Sequence, residues 1–302
     1  MVKGVFTVKA DSGYDDDRTS RYHFPKQYLE KVRQTVDDLI VYYEPRRSGG
    51  RQSYIAVVRV LGVVADERRD NHYYALVGDY LDFDRPVGFR GPGGLFEQNL
   101  RSDGTTGLSG DFRNAVRLLS DAEFEGILTA GFSDTLEAQA DQAQANLQLP
   151  SQLAEERIDF DFDRPLVERL VSRPFRDDAF ARHVKLAYNA TCAFTGLSMR
   201  NGGGRTEVDA AHIKPVAGDH RGPDSVRNGI ALSKTVHWMF DRGLIAIDSD
   251  YRILTAGSLV PDPIKRLLNP TGHMILPEDK RAQPHPLFLE YHRNRIFKDA
   301  RE

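Results

Sequence analysis

The sequence predicts an α+β protein of two domains, 1–130 and 166–302, joined by an acidic, partly helical linker over 131–165. Three observations predict it. At 302 residues the chain is longer than a usual single domain. Runs rich in β-branched and aromatic residues concentrate before residue 130, and a more helical pattern follows 166. The charge also divides, with 19 Lys+Arg against 28 Asp+Glu up to residue 163, and 22 against 16 from Arg164 onward.

The elements follow in order. Phe24 to Val36 reads as a short helix. Asp38–Glu44, Tyr54–Val60 and His72–Val77 read as strands, separated by turn residues such as Ser48-Gly49-Gly50. The apolar run Ile55–Val58 fits a buried barrel strand. Residues 88–110 hold seven glycines and read as a long flexible loop, but no Gly-Lys-Ser/Thr makes it a phosphate loop. Asn114 to Thr129 and residues 134–149 read as helices, and Pro150 closes the second. Beyond 166, Asp178–Asn189 reads as a helix. Cys192–Leu197 and Arg205–Ile213 read as strands around the turn Arg200-Asn-Gly-Gly-Gly204, and Asn228–Leu232 as a short extended segment. Ser233 is placed to cap a helix through Arg242, which Gly243 ends.

Composition excludes several classes. No stretch approaches the ~20 apolar residues of a membrane span, and the opening residues lack the apolar core of a secretory signal. The single cysteine, Cys192, excludes a disulfide framework and a Cys-rich structural zinc site, and it reads as a small buried residue. A cytoplasmic protein is the expectation. The C-terminal half is basic and holds seven of the nine histidines, which suits a polyanion and metal chemistry; chance surface charge explains the same balance.

Three polar residues stand out in that half: His212 in Val208-Asp-Ala-Ala-His-Ile213, Asn228 in Arg227-Asn-Gly229, and His237 in Thr235-Val-His-Trp-Met-Phe-Asp241. On the predicted elements they give a histidine at a strand end, a loop, an asparagine, and a second histidine on a helix. With Cys192-Ala-Phe-Thr-Gly196 and His237-Trp-Met-Phe-Asp-Arg-Gly243, this arrangement over roughly 174–256 resembles the HNH endonuclease motif, the ββα-metal nuclease fold.

The resemblance implies hydrolysis of phosphodiester bonds in double-stranded DNA with a divalent metal, Mg²⁺ or Mn²⁺, and no structural zinc. By the same resemblance His212 is the general base, Asn228 holds the loop and so the base, and His237 binds the metal. Asp241 lies one helical turn beyond His237 and stands where the family often has a second helical ligand. Many members carry a ligand just before the base, where this chain has Ala211. Strand alternation puts Asp209 on that same face, as a substitute ligand or merely an orienting group. Trp238 reads as core in preference to a base-stacking platform, and His183, His220 and His273 as surface or loop residues.

In the first domain, Tyr22–Leu29, Asp38–Arg47 and Tyr54–Val60 resemble the readers that precede HNH modules in modification-dependent restriction enzymes. Those readers are PUA-superfamily β-barrels of the EVE, ASCH and SRA kinds, which hold a flipped base. The resemblance implies a PUA-like fold over 1–130 and a pocket for 5-methyl- or 5-hydroxymethylcytosine. Candidate pocket residues are Tyr22, Phe24, Tyr42, Tyr43 and Tyr54, with Arg46 as a phosphate or base contact; ordinary strand core is the competing reading of the tyrosines. Two other functions stay open: an HNH nuclease whose first domain serves dimerisation or unmodified sequence, and, because of Ala211, an inactive DNA-binding protein. Double-strand cleavage would call for a homodimer.

Overall fold

Alternating β-branched and aromatic residues turn the first part of the chain into a sheet. Strands β1 (Lys3–Thr7), β2 (Arg21–Pro25), β3 (Leu39–Glu44), β4 (Ser53–Ala65), β5 (His72–Gly88) and β8 (Val116–Leu119) form a curled six-stranded half-barrel in the order β2-β5-β4-β3-β1-β8. The pairing of β1 with β3 is parallel and the rest antiparallel. Between β4 and β5 the register shifts at three places, and such bulges bend long strands. The structure is a computed structural model and describes residues 2–8, 15–46, 50–100, 114–148, 166–170, 172–201 and 206–298. It divides into two units, Met1–Arg176 and Asp177–Glu302.

One face of the sheet buries Phe6, Tyr22, Phe24, Ile40, Tyr42 and Val58. Helix α3 (Asp121–Gly131) packs on β4 and β5 and begins with a capping box of Ser120 and Glu123. Gly131 permits its close approach, because a Cβ there would lie 2.7 Å from the Phe83 ring. The remaining helices of this unit are the short α1 (Asp15–Ser20) and α2 (Leu29–Arg33), then α4 (Ser133–Gln148) and α5 (Leu166–Leu170).

Local expectations change here. The helix expected from Phe24 starts only at Leu29, because Tyr22 and Phe24 alternate into the sheet as part of β2. The helix expected from Asn114 is strand β8 up to Leu119, and Ser120 starts the helix. Part of the expected glycine loop is a small ribbon of β6 (Arg90–Gly91) and β7 (Gly94–Leu95). The 101–110 part of that loop, 149–165 of the linker and 202–204 of the glycine turn lie outside the described residues.

The second unit packs helix α6 (Arg173–Ala187) against a hairpin of β9 (Asp209–His212) and β10 (Gly229–Leu232), followed by α7 (Lys234–Asp241). Then come β11 (Ile245–Ile247), β12 (Ile253–Thr255), α8 (Asp262–Lys265) and α9 (Pro286–Arg295). Gly229 lets α6 sit on the hairpin, since a Cβ there would lie 2.2 Å from Val184. Cys192–Leu197 is a closed turn instead of the expected strand: Leu197 O accepts from Cys192 N, Cys192 O from Gly196 N, and Gly196 has φ +72°. Cys192 is fully buried. No helix among the described residues is long and apolar enough to cross a membrane.

Helix α7 is held from behind by α9. His292 is buried, stacks on Phe240 at 3.8 Å, and donates from Nε2 to the Phe240 carbonyl at 3.1 Å. Burial lowers its pKa to about 4. An unfolded histidine takes a proton near pH ~6.5, so the unfolded chain binds this proton first as pH falls. The contribution is complete above pH ~6.5 and is lost as pH falls towards the folded value. Thermal melts should show wild type losing more stability than His292→Gln between neutral pH and pH ~4.5; parallel curves would contradict this.

Candidate active site

The site is built around one buried amide. Asn228 is fully buried at the end of the helical turn Val226–Asn228, immediately before β10. Its Oδ1 accepts from Lys214 N at 2.8 Å, and its Nδ2 donates to the carbonyls of Lys214 and Pro223, each at 2.9 Å. One side chain thus closes the loop between β9 and β10. Gly222 makes room for this, because a Cβ there would lie 2.0 Å from the Lys214 carbonyl. Residue 228 also shares the hairpin ladder, with Ile213 N donating to its carbonyl at 2.8 Å.

The closed loop delivers a carboxylate to His212. Asp224 is almost fully buried, and its Oδ1 lies 3.0 Å from His212 Nε2. A carboxylate oxygen accepts, so Nε2 carries the hydrogen and Nδ1 keeps its lone pair. Phe180 stacks on the imidazole at 3.7 Å and 5° between planes. One partner fixes the ring plane and the other fixes the rotation within it. Asp224 was not evident in the sequence, twelve residues along the chain from His212; its nearest signal was its place four residues before Asn228.

Helix α7 supplies the other half. Ser233 stands at its N-cap without a side-chain cap bond, and Glu207 Oε1 accepts from Lys234 N instead. Val236, Met239 and Phe240 take the buried face. His237 and Asp241 sit one turn apart, with Nε2 and Oδ2 3.4 Å from each other. Burial raises the Asp241 carboxyl above its ordinary value, against the pull of His237, Arg242 and His212. His212 is therefore within electrostatic reach of this pair. Gly243, at φ +69°, ends the helix as expected.

No group of three or more His, Cys, Asp or Glu side chains able to hold a metal occurs among the described residues. His237 and Asp241 are a nitrogen and an oxygen donor at the protein surface, which fits a hard cation that keeps most of its waters. Ala211 is fully buried in the core. By strand alternation Asp209 shares that face and not the face of His212. No hydrogen bond or ion pair joins Asp209 to His212, His237 or Asp241 among the described residues.

Other expectations are resolved by burial. Trp238 is 57% exposed, because Val236, Met239 and Phe240 already occupy the core face and residue 238 falls opposite them. His183 is buried, not a surface residue, and His220 Nδ1 lies 2.7 Å from the Tyr291 hydroxyl. In the first unit Tyr22, Phe24 and Tyr42 are brought into one cluster with Tyr80. Tyr43 and Tyr54 pack together elsewhere, beside Arg117 and Glu97. All five expected pocket aromatics are buried, and Arg46 is exposed. The buried pair Arg117–Glu97, with Tyr54 donating to Glu97 Oε1 at 2.6 Å, was not foreseen because Glu97 lies in the glycine-rich segment.

Residues 192–248 match the HNH endonuclease family. Among solved structures, the modification dependent TagI restriction endonuclease is similar at 14% identity, over 97% of this chain and 82% of that one, with a TM-score of 0.33. The Type IV phosphorothioation-dependent restriction endonuclease ScoMcrA is similar at 14% identity, over 78% of this chain and 46% of that one, with a TM-score of 0.18. No curated protein matches the chain.

Removing the amide should release the loop. Asn228→Ala leaves two carbonyls and one N–H without their partner, and buried orphans cost ~1–3 kcal/mol each, so a loss of ~3 kcal/mol is expected. Asn228→Asp is nearly isosteric but points a carboxylate oxygen at two carbonyls, so it should also destabilise. Denaturant melts measure both; an Asp variant as stable as wild type would contradict the assignment.

Proposed function

Because residues 192–248 are an HNH endonuclease domain, we propose that this chain is a metal-dependent DNA endonuclease that restricts DNA carrying a modified base. The observation that carries the nuclease reading is the histidine-carboxylate pair His212–Asp224, set in that domain beside the donors His237 and Asp241. Hydrolysis needs a water stripped of a proton as it attacks phosphorus. His212 Nδ1 takes that proton, and Asp224 stabilises the imidazolium that forms and prevents the ring from turning. Asn228 acts through the loop and touches no reacting atom. His237 and Asp241 would hold Mg²⁺ or Mn²⁺, which stabilises charge on the phosphoryl oxygens and on the departing 3′-oxygen. Asp209 stays outside this set.

Selection of modified DNA is assigned to the first unit. What supports it is the resemblance of Tyr22–Leu29, Asp38–Arg47 and Tyr54–Val60 to PUA-superfamily readers, together with a curled sheet that keeps Tyr22, Phe24 and Tyr42 in one aromatic cluster. An HNH module contacts mainly the DNA backbone and carries little selectivity of its own. On this reading the substrate is double-stranded DNA with 5-methyl- or 5-hydroxymethylcytosine, and a homodimer makes the double-strand cut.

The test is nicking of matched plasmids bearing unmodified, methylated or hydroxymethylated cytosine. Cleavage should need Mg²⁺ or Mn²⁺, stop in chelator, favour a modified plasmid, and leave 5′-phosphate and 3′-hydroxyl ends. His212→Ala should lose ~10²–10⁴-fold in rate. His237→Ala should also stop cleavage but recover in part at high Mn²⁺, which His212→Ala should not. Undiminished cutting in chelator, or a His212→Ala variant near wild-type rate, would defeat the nuclease mechanism; equal cutting of all plasmids would defeat the reader alone.

A further inference from the structure

The chain has one tryptophan, and the fold leaves it in water beside the active site. Trp238 follows His237 on α7 and is 57% exposed. Lys234 and Arg242 lie one turn to either side and are also exposed. Positions i, i+4 and i+8 share one face of a helix, so the three make a cation–indole–cation stripe ~12 Å long at ~1.5 Å per residue. The Lys234 and Arg242 side chains form no ion pair among the described residues. Glu207 bonds only the backbone N of Lys234, and Arg242 is felt by Asp241 through charge.

We propose that this stripe is a DNA contact, in which Lys234 and Arg242 bind phosphates of one strand and the Trp238 indole inserts at the base step between them. The inference rests on the reading of the chain as a DNA endonuclease. Charge complementarity commits the face to a polyanion, since the exposed Lys234 and Arg242 flank the indole. Its length matches a nucleic acid strand: ~12 Å covers ~3 nucleotides at 3.4 Å rise. An exposed indole between cations suits a base step, because aromatic side chains stack on any base and apolar wedges unstack steps in bound DNA. The middle of the stripe, Trp238, is one residue from His237, so a nucleotide held there would place its neighbouring phosphate at the metal donors. Trp238 is a positioning residue on this account and takes no part in proton transfer.

Being the sole tryptophan, Trp238 reports on itself. The full chain carrying His212→Ala, which is expected to bind without cutting, is titrated with dye-labelled ~20-base-pair duplexes bearing unmodified, methylated or hydroxymethylated cytosine while tryptophan emission and dye anisotropy are both followed. Emission should be quenched with the same midpoint as the anisotropy. Trp238→Ala should weaken binding ~10-fold by anisotropy, and Lys234→Ala with Arg242→Ala should reduce the salt slope of log Kd by about two. Both changes lie on an exposed face, so folding is expected to survive and is checked by circular dichroism. Anisotropy that saturates with unchanged emission, or Trp238→Ala binding as wild type, would overturn the inference while leaving the nuclease reading intact. Quenching without any metal-dependent cutting by the wild-type chain would overturn the nuclease reading and leave the contact standing. No binding at any concentration would overturn both.

Discussion

Three hydrogen bonds from one buried asparagine hold the arrangement on which the rest of the site depends. Asn228 meets both polar backbone groups of Lys214 and the carbonyl of Pro223, so the loop leaving β9 must return to β10 in one shape. That shape carries Asp224 under His212. Buried amides are expensive when unpaired and strongly directional when paired, which makes the loop geometry close to all-or-none. His212 is therefore oriented by a loop that one buried amide holds closed.

The second support is packing. Phe180 from α6 lies flat on His212, and Gly229 is what lets α6 come that near. On the other side, α9 locks α7 through His292 and Phe240, and α7 carries His237 and Asp241. Two helices, α6 and α9, thus brace the hairpin and α7. Burial disfavours the charged form of the His292 ring.

Much of this was legible in the sequence, and the reasons differ by residue. The placement of His212, Asn228 and His237 on strand, loop and helix was legible because their order along the chain is local. Asp224 was not legible, because its approach to His212 depends on a loop path that includes Arg221 at φ +49° and the close backbone contact at Gly222. Trp238 was misread as core although the helical period of Val236, Met239 and Phe240 already placed it outside. In the first unit the long strands were legible from composition. The start of α3 was missed because the Ser120–Glu123 capping box lies inside a run that looks helical throughout. The pairing of Tyr43 with Tyr54 was beyond reach, since it turns on a register shift between β3 and β4 at Tyr42 and Tyr43.

The central claim is that Asp224, positioned by the Asn228 loop, holds His212 with Nε2 protonated and Nδ1 bare. Nitrogen-15 NMR of histidine-labelled protein above the titration range of the ring reads this directly. The account predicts a single Nε2–H tautomer for His212, assigned by its loss in His212→Ala, and an averaged or reversed tautomer in Asp224→Ala. A His212 ring that is Nδ1–H in the wild-type chain, or one unchanged by removing Asp224, would contradict it.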